Sequence, residues 1–310
     1  MKSKSSKPAM KTYVDPFRVD GSQEFHLKVH KTGEKGDLSK DEAQKLLGEN
    51  RGRMRVLQEK LYAQDRWSLL LIFQGMDAAG KDSAIKSVFE GVNPQGCEVT
   101  SFKQPTIHEL DHDFMWRCMT ALPQRGRIGI FNRSYYEECL VTRVHPELLA
   151  KEKIPPRLVT KNICQERFED ITAIERYLSR NGTVILKFFL NVSKEEQRER
   201  FLERLEQPSK NWKFSMGDVT ERARWSRYQA VYQDIVRHTS TPVAPWHVVP
   251  ADHKWFARVV IISTIVAALE RLDLKFPRVD KDSQKEFKDV REALQQEGKG
   301  KRRKASDAKA

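Results

Sequence analysis

Residues 75–83 have the composition and spacing of a phosphate-binding loop. They read GMDAAGKDS, follow the mainly apolar run SLLLIFQ and precede a helical pattern. Gly75, Gly80 and Lys81 match G-x-x-x-x-G-K, in which glycine lets the backbone turn so that successive N–H groups face a phosphate. The start of the following helix adds partial positive charge. We predict phosphate contacts from Gly75, Ala78, Ala79, Gly80, Lys81, Asp82 and Ser83.

Two carboxylates make this loop unusual, because a phosphate cradle should repel negative charge. Asp77 lies inside the loop, and Asp82 occupies the position where such loops usually carry a magnesium-ligating Ser or Thr. Two interpretations of position 82 stay open. Asp82 or the neighbouring Ser83 ligates the metal, or Asp82 is a helix N-terminal residue that the helix dipole favours.

A second motif, RIGIFNRSYYEECLVTRVHPE, begins with a strand-like run. The end of this strand, where a Walker B Asp is normally found, has Asn132, and Arg133 follows it. An Arg at the carboxyl end of a strand can clamp a phosphate and stabilise the charge that builds during phosphoryl transfer. We predict such a role for Arg133 and Arg143; the alternative is an ion pair with Glu137 or Glu138. The two adjacent tyrosines are interpreted as core residues rather than base-stacking residues.

A basic helix and loop follow in the segment NVSKEEQRERFLERLEQPSKNWKFSMGD. Ser193 and Glu196 have the spacing of a capping box. Arg200 and Arg204 place like charges at i and i+4, which destabilises an isolated helix slightly and favours an anion between them. Such a segment can close over a phosphoryl-transfer site. The alternative is a solvated surface with an ordinary Glu196–Arg200 pair.

Strand-like and helical runs alternate along the chain, which is typical of a mostly parallel sheet covered on both faces. Ligands of such sheets bind beyond the carboxyl ends of the strands, where the phosphate loop lies. We predict five strands at 68–74, 97–102, 127–132, 183–192 and 245–251. We predict helices from Ser39, near 80–91, 107–121, 133–144, 156–180, 193–206 and 218–239, and from 253 onward.

The composition indicates a soluble globular protein in a reducing cytoplasm. The chain has 310 residues and a net charge of +13, and four cysteines without a CxxC pair argue against zinc and disulfides. The N-terminus lacks an apolar signal segment, and the longest apolar stretch is too short to span a bilayer. We therefore expect no membrane association.

Much of the positive charge lies at the two ends. Residues 1–12 hold four Lys and no acid, and residues 291–310 hold seven Lys or Arg and three acids. We predict a flexible basic extension over 1–40, one phosphotransferase domain over 41–275 with a lid at about 193–217, and a C-terminal helix with a disordered basic tail over 276–310. A nucleic-acid-binding protein that uses these tails is an alternative, although RNP-type aromatics and Cys/His spacing are missing.

Several ordered motifs resemble polyphosphate kinase family 2 over residues 40–275. They are GMDAAGKDS, NPQGCEVTSFKQPT, FNRSYYEECLVTRVHPE, NVSKEEQRERFLERLEQPSKNWKFS and TPVAPWHVVPADHKWFAR. The resemblance implies a thymidylate-kinase-like P-loop fold, a three-layer α/β/α arrangement with a helical lid. It implies transfer of the terminal phosphoryl group of inorganic polyphosphate to a nucleotide, with Mg²⁺ or, as a substitute, Mn²⁺. It also implies a homodimer or homotetramer.

The resemblance assigns roles to individual residues. It implies a catalytic set of Asp77, Lys81, Arg133, Asn132 and Glu137, with Asp77 bound to metal and acceptor phosphate. It implies a nucleotide-binding set of Asp77, Lys103, Arg117, Asn132 and Glu137. It places Arg198, Arg204 and Lys213 in the lid, where they contact polyphosphate.

The second motif also suggests the acceptor. Family members restricted to nucleoside diphosphates resemble DRSWYNR here, whereas this chain has NRSYYEE, with Asn132 in place of Asp and Glu137 in place of Asn. The chain resembles the subgroup that accepts both mono- and diphosphates. An ATP-dependent nucleoside monophosphate kinase is the main alternative enzyme, because it shares the loop and the lid.

The chemistry that these residues predict is direct transfer without a phosphohistidine. Positioning and charge neutralisation supply most of the catalysis of phosphoryl transfer, and none of the eight His residues lies in a motif that demands a nucleophile. Because Asn132 replaces the Walker B carboxylate, we expect Asp77 to be the main magnesium ligand and Asp82 a tentative auxiliary one.

Overall fold

The computed structural model describes residues 13–212 and 214–307 of the chain, without the side chains of 281, 282 and 297–307. Its strands are β1 (Arg18–Val19), β2 (Ser68–Gln74), β3 (Cys97–Ser101), β4 (Ile128–Asn132), β5 (Thr183–Asn191) and β6 (Trp246–Pro250). Its helices are α1 (Lys40–Gln64), α2 (Lys81–Val88), α3 (Ile107–Leu110), α4 (Trp116–Met119), α5 (Glu137–Val144), α6 (Ile163–Arg180), α7 (Lys194–Glu206), α8 (Pro208–Asn211), α9 (Met216–Ala223), α10 (Trp225–Thr239), α11 (Lys254–Arg271) and α12 (Lys281–Asp307).

One sheet organises the fold, with the strand order β1-β6-β5-β2-β4-β3. The strands β2 to β6 are parallel, and β2, whose seven residues are all buried, pairs with β4 on one side and β5 on the other. This confirms the predicted mostly parallel α/β fold. The expected strand count of five is wrong, because the two-residue β1 pairs antiparallel with β6 through Arg18 and Val19. Two residues are too few to produce a periodic sequence signal.

Residues 13–39 differ from the flexible extension that the sequence predicted. Phe17, Phe25 and Leu27 are buried in the main core. The backbone is tied down as well, since Asn191 donates to the carbonyl of His30 (2.9 Å) and the Leu27 amide donates to Gln233 Oε1 (3.1 Å). A few large apolar residues therefore anchor a segment whose average composition is polar. The predicted extension also includes residues 1–12, which lie outside the described residues.

Helix boundaries follow local side-chain hydrogen bonds. Ser39 and Glu42 form the predicted capping box at the start of α1. The predicted helix over 107–121 is wrong as a continuous element, because Asp113 Oδ1 accepts the amide of Met115 (2.9 Å) and separates α3 from α4. Such an Asp side chain offers the backbone an alternative to the helical hydrogen bond.

The second predicted capping box, at the start of α7, is half formed. Ser193 Oγ accepts the amide of Glu196 (3.0 Å), as expected. The carboxylate of Glu196 binds Arg200 instead of the Ser193 amide, and Asp252 accepts that amide (2.7 Å). Residue 252 follows β6, so this cap also fixes α7 to the carboxyl end of the sheet.

The described residues from Lys275 onward form a second compact unit. Its helix α12 continues to Asp307, so residues 281–307 are helical where the sequence predicted a disordered tail beyond a shorter helix. Phe287, Val290 and Leu294 are exposed on this unit. Among the described residues, no helix combines the length and the apolar character that a membrane crossing needs.

A buried ion pair joins the sheet to the turn that carries the second motif. Lys187 of β5 and Glu175 of α6 are both fully buried, with Nζ 2.6 Å from Oε2. The other oxygen of Glu175 accepts the hydroxyl groups of Tyr135 (2.9 Å) and Tyr136 (2.8 Å). Both tyrosines are core residues, as predicted. Lys187 also donates to the carbonyl of Thr239 (2.7 Å), so the network joins β5, α6 and α10 to the turn that precedes α5.

We expect Lys187→Met to lower the free energy of unfolding by about 3–5 kcal/mol, because it leaves the Glu175 carboxylate buried without its cation. Urea denaturation measures this loss. The double variant Lys187→Met, Glu175→Leu should recover part of it, since it removes both charges. If the free energy of unfolding of Lys187→Met lay within about 1 kcal/mol of the parent value, the assignment of a buried charged pair would be contradicted.

Candidate active site

The β2–α2 loop has the backbone geometry of an anion-binding nest. Gly75 and Gly80 have φ values of +154° and +106°, and Ala78 has φ +60°. A Cβ on Gly75 would lie 3.0 Å from the carbonyl oxygen of Leu190, so glycine is required there. Alternating left- and right-handed residues turn successive amides to the same side of the loop. The loop therefore has the positive-φ turns that the glycine spacing predicted, and its phosphate contacts stay a prediction.

Lys81 is folded back onto the loop. Its Nζ donates to the carbonyl oxygens of Gly75 (2.6 Å) and Met76 (3.3 Å), and the side chain is buried. Burial lowers the pKa of Lys81, and the charge of Arg133 lowers it further. The ammonium group thus stands beside the nest, bound to two carbonyls of the loop.

Arg133 stands at the carboxyl end of β4 in the left-handed region, with φ +66°. Its Nη2 donates to Asp77 Oδ1 (2.9 Å), and its Nη1 lies 3.7 Å from Glu137 Oε2. The Glu137 carboxylate, followed by Asp77, raises the pKa of Arg133. This conformation costs about 1–2 kcal/mol for a residue with a Cβ. It brings the guanidinium against the carboxylate inside the phosphate loop, so the two motifs meet.

Asn132 joins the same two motifs at a second point. Its Nδ2 donates to Asp82 Oδ1 (2.6 Å). Asp82 lies in the first turn of α2 and also lines the cavity described next, so its geometry suits both interpretations left open above. The Ser83 hydroxyl donates to the carbonyl of Gly80 (2.9 Å).

A cavity of about 650 Å³, termed the basic cavity, opens beyond the loop. Residues that follow β2 and β4 line it on one side, and residues of α7 and α11 complete it. Eight of its lining residues are basic and three are acidic, so it suits a polyanion. The basic ones are Lys81, Lys103, Arg133, Arg200, Arg204, Lys210, Lys254 and Arg258, and the acidic ones are Asp77, Asp82 and Glu203.

A further cavity of about 470 Å³, termed the second cavity, also has Arg133 in its lining. It is lined by apolar and aromatic groups such as Leu140, Tyr228 and Tyr232, together with several carboxylates. Four residues line both cavities, namely Asp77, Lys103, Gln104 and Arg133. A ligand in one cavity therefore meets a ligand in the other at these residues.

The two remaining nucleotide-site predictions lie beside this junction. Arg117 is buried and donates to the carbonyl of Lys103 (2.7 Å) and to Glu138 Oε1 (2.7 Å). Burial raises the pKa of Glu138, although the Arg117 charge opposes this. Arg117 thus holds Lys103 in position at the junction. Glu137, also predicted, lines the second cavity.

The predicted lid and helix arginines divide into two groups. Arg204 lines the basic cavity and lies 3.4 Å from Asp218. Arg143 pairs with Asp234 (2.7 Å), and Arg198 pairs with Glu199 (2.7 Å) with 63% of its side chain exposed. Among the described residues that line the two cavities, neither Arg143 nor Arg198 is found. Lys213 lies outside the described residues.

Arg200 is the site residue whose role the sequence analysis missed. The sequence pattern predicted an anion between Arg200 and Arg204. In the structure, Arg200 Nη1 instead donates to the carbonyls of Ala78 (2.9 Å) and Ala79 (2.8 Å) in the phosphate loop. Its Nη2 donates to the carbonyls of Ala251 and Asp252 after β6. A guanidinium that holds the loop carbonyls on one side leaves the loop amides facing the other. The only sign of this role in the sequence was the unfavourable pair of like charges that Arg200 and Arg204 form at i and i+4.

The carboxylates at the loop fit a divalent ion that is bound partly by substrate. Among the described residues, no group of three or more His, Cys, Asp or Glu side chains could hold a metal alone. Asp77 and Asp82 both line the basic cavity beside the phosphate nest. Mg²⁺ usually keeps several waters and binds one or two carboxylates plus phosphate oxygens. This donor set therefore suits it once a phosphate is present.

Comparison with known proteins identifies the family. The family model described as "Polyphosphate kinase 2 (PPK2)" matches residues 37–277. The chain belongs to the polyphosphate kinase 2 family. A family member from Arthrobacter aurescens TC1, described as polyphosphate kinase 2, has a crystal structure that superposes with a TM-score of 0.82 at 38% identity, covering 90% of this chain and 96% of that one.

Two curated relatives carry names that state an activity. An "ADP-polyphosphate phosphotransferase" of Rhodopseudomonas palustris is 47% identical over 257 residues, which is 83% of this chain and 89% of the relative. An "AMP/ADP-polyphosphate phosphotransferase" of Meiothermus ruber is 44% identical over 233 residues, which is 75% of this chain and 83% of the relative. Members of the polyphosphate kinase 2 family with similar sequences thus differ in the acceptor that they are named for.

We expect Arg200→Ala to lower kcat/KM by about 100-fold, because the loop amides lose their fixed direction and a small misplacement has an effect of this size. Arg200→Lys should restore part of the activity, since an ammonium reaches fewer carbonyls. Steady-state kinetics gives the loss. The rise in Tm on adding tripolyphosphate should shrink in parallel.

The control is Arg176→Ala, which removes an exposed arginine from α6. It should keep kcat/KM within about twofold, as surface substitutions usually do. An Arg200→Ala variant that lost thermal stability but kept its tripolyphosphate response and its turnover would show that the residue only supports the fold.

Proposed function

We propose that this enzyme transfers the terminal phosphoryl group of inorganic polyphosphate to nucleoside mono- and diphosphates, converting AMP to ADP and ADP to ATP. We extend the proposal to guanine nucleotides. The observation that carries it is the junction of the two cavities, where Asp77, Lys103 and Arg133 line both. The names of the two curated relatives support the same donor and both adenine acceptors.

The donor chain occupies the basic cavity in this proposal. Polyphosphate carries negative charge at every phosphate, so a surface rich in Lys and Arg holds it without reading any other feature. The phosphate nest receives the end of the chain. Lys81, already beside the nest, needs only to exchange the Gly75 and Met76 carbonyls for phosphate oxygens.

The acceptor nucleotide occupies the second cavity, with its phosphate towards Arg133. Tyr228, Tyr232 and Leu140 supply the flat apolar surfaces that a nucleoside needs. Carboxylates such as Glu137 and Glu221 accept hydrogen bonds from amino and hydroxyl groups. A second phosphate chain would meet these carboxylates, which favours a nucleotide over polyphosphate in this cavity.

The reaction is a direct in-line transfer between the two substrates. Arg133 neutralises charge on the transferring group, and Lys81 and the loop amides hold the donor. Asp77, with Asp82 as an auxiliary ligand, would hold Mg²⁺ or its substitute Mn²⁺ together with phosphate oxygens, and the ion would neutralise phosphate charge. His145 lines the second cavity, but both of its ring nitrogens are engaged by Glu147 and Glu221, which supports a structural role.

Three further proposals concern the protein as a whole. We propose a cytoplasmic location, supported by four free cysteines. We propose a homodimer or homotetramer on the family resemblance. We propose that nucleic acid is not a partner, so that deletion of residues 1–12 and 291–310 spares the kinase activity.

The proposal predicts the products of one experiment. The purified protein is incubated with Mg²⁺, either polyphosphate or ATP as donor, and AMP, ADP, GMP or GDP as acceptor, and the nucleotides are resolved by chromatography. We expect ADP and then ATP from AMP with polyphosphate as donor. Phosphoryl transfer with ATP as donor, and none with polyphosphate, would support a nucleoside monophosphate kinase instead. ATP formation from ADP without any product from AMP would restrict the acceptors to diphosphates.

The two loop carboxylates should respond differently to substitution. We expect Asp77→Asn to lose about 100-fold or more in kcat at every Mg²⁺ concentration, because it weakens both the metal site and the Arg133 contact. Asp82→Asn should lose less and recover as Mg²⁺ is raised. A magnesium titration of kcat separates the two. Near-normal turnover of Asp77→Asn would refute the central role of this carboxylate.

A further inference from the structure

We infer that helix α12 pairs with α12 of a second copy of this chain, side by side and in the same direction, through an apolar seam. The helix belongs to the unit that starts at Lys275, and the match to the family model ends at residue 277. The pairing therefore goes beyond the proposed phosphoryl transfer. It is also separate from any subunit contact that the family domain makes.

One face of α12 is apolar and exposed to solvent. Phe287, Val290 and Leu294 follow the spacing i, i+3 and i+7, and their residue surfaces are 60%, 56% and 61% exposed. Together with Arg291 and Gln295 they line a groove of about 380 Å³. In a heptad written abcdefg, Phe287 and Leu294 take position a and Val290 takes position d. This is the seam of a two-stranded coiled coil, in which each apolar residue inserts between residues of the facing helix.

Two charged residues flank this seam and select the partner. Glu286 takes position g and Arg291 takes position e, five residues further on. In a parallel pair in register, position g of one helix faces position e of the next heptad in the other helix. Two copies of α12 therefore form two pairs of opposite charge. In an antiparallel pair, g faces g and e faces e, so that like charges would meet.

The flanking charges have no complement at helical spacing on their own helix. Side chains three or four residues apart are neighbours on a helix surface. No basic residue stands at these distances from Glu286, and no acidic residue stands at them from Arg291. On the outer face, by contrast, Lys288 and Glu292 have the i, i+4 spacing of an ion pair within one helix. The edges of the seam thus match a second copy of the same helix.

The seam is short, and this sets the strength of the contact. The positions that would extend it are Ser283 before Phe287 and Glu297 after Leu294, and neither is apolar. Three apolar layers bury little surface, so we expect weak pairing between free chains. The pairing is strengthened where other contacts raise the local concentration of the helices.

The test is a cross-link at position 283, the d position one heptad before Val290. Ser283→Cys places two thiols side by side in the parallel pair, whereas an antiparallel pair keeps them at opposite ends. The full-length variant is treated with a short bismaleimide at increasing protein concentration, and the covalent dimer is measured on a denaturing gel. We expect a dimer from this variant. We expect little from Glu292→Cys, on the opposite face, or from the parent protein with its four native cysteines.

Charge variants in the Ser283→Cys protein then test the partner. Arg291→Glu sets two carboxylates against each other at both flanking pairs, so the protein concentration for half-maximal cross-linking should rise about tenfold. The exchange variant Glu286→Arg, Arg291→Glu should return it to the starting value, because each pair regains opposite charges. An equal mixture of the two single charge variants should also cross-link well, as heterodimers. The Tm should stay unchanged in all of them, because the substituted positions are exposed.

Two results would overturn the inference. One is the absence of a cross-link at position 283, and if light scattering still showed a dimer or tetramer, the proposed homo-oligomer would stand without a contact through α12. The other is a cross-link that Arg291→Glu does not weaken. A cross-link that follows the charges in a protein unable to use polyphosphate would support the pairing and refute only the proposed function.

Discussion

The guanidinium of Arg200 connects three segments whose relative position governs the whole site. It extends from α7 to the carbonyls of the phosphate loop and to those that follow β6. Because those carbonyls are engaged on the protein side, the loop amides are directed into the basic cavity. The same contact anchors the first half of α7, and Gln197 reinforces it by donating to the carbonyl of Asp77 (2.9 Å). Within the segment predicted to be a lid, these contacts tie down the part up to Arg200.

The two acidic residues of the phosphate loop are each matched by a polar or basic partner from the second motif. A carboxylate inside a phosphate loop is repulsive in isolation, but Asp77 is paired with Arg133, and Asp82 is hydrogen-bonded to Asn132. Each acidic residue of the first motif thus has a partner in the second. The pairs hold the two motifs together before substrate binds. In the proposed mechanism the same carboxylates would share a divalent ion with phosphate oxygens.

Much of the fold could be predicted because local patterns were strong. Each of the five predicted strands begins and ends within one residue of its observed position, since buried parallel strands are continuous apolar runs. The two-residue β1 and the anchored segment 13–39 could not be predicted, because both depend on contacts with distant residues. The division between α3 and α4 depended on one side-chain hydrogen bond of Asp113.

The sequence by itself determined the type of fold, the phosphate loop and the residues that meet at its edge, because spacing along the chain dictates which groups follow each strand. Only the tertiary structure decided what each charged side chain does. Arg200 and Arg204 are equivalent in sequence pattern and both line the basic cavity, yet Arg200 is buried against carbonyls whereas Arg204 pairs with Asp218. Arg143 and Arg198 matched a pattern but pair with carboxylates elsewhere. A charge acts on whatever lies within a few ångströms in space, and sequence spacing specifies that only for neighbours on the same element.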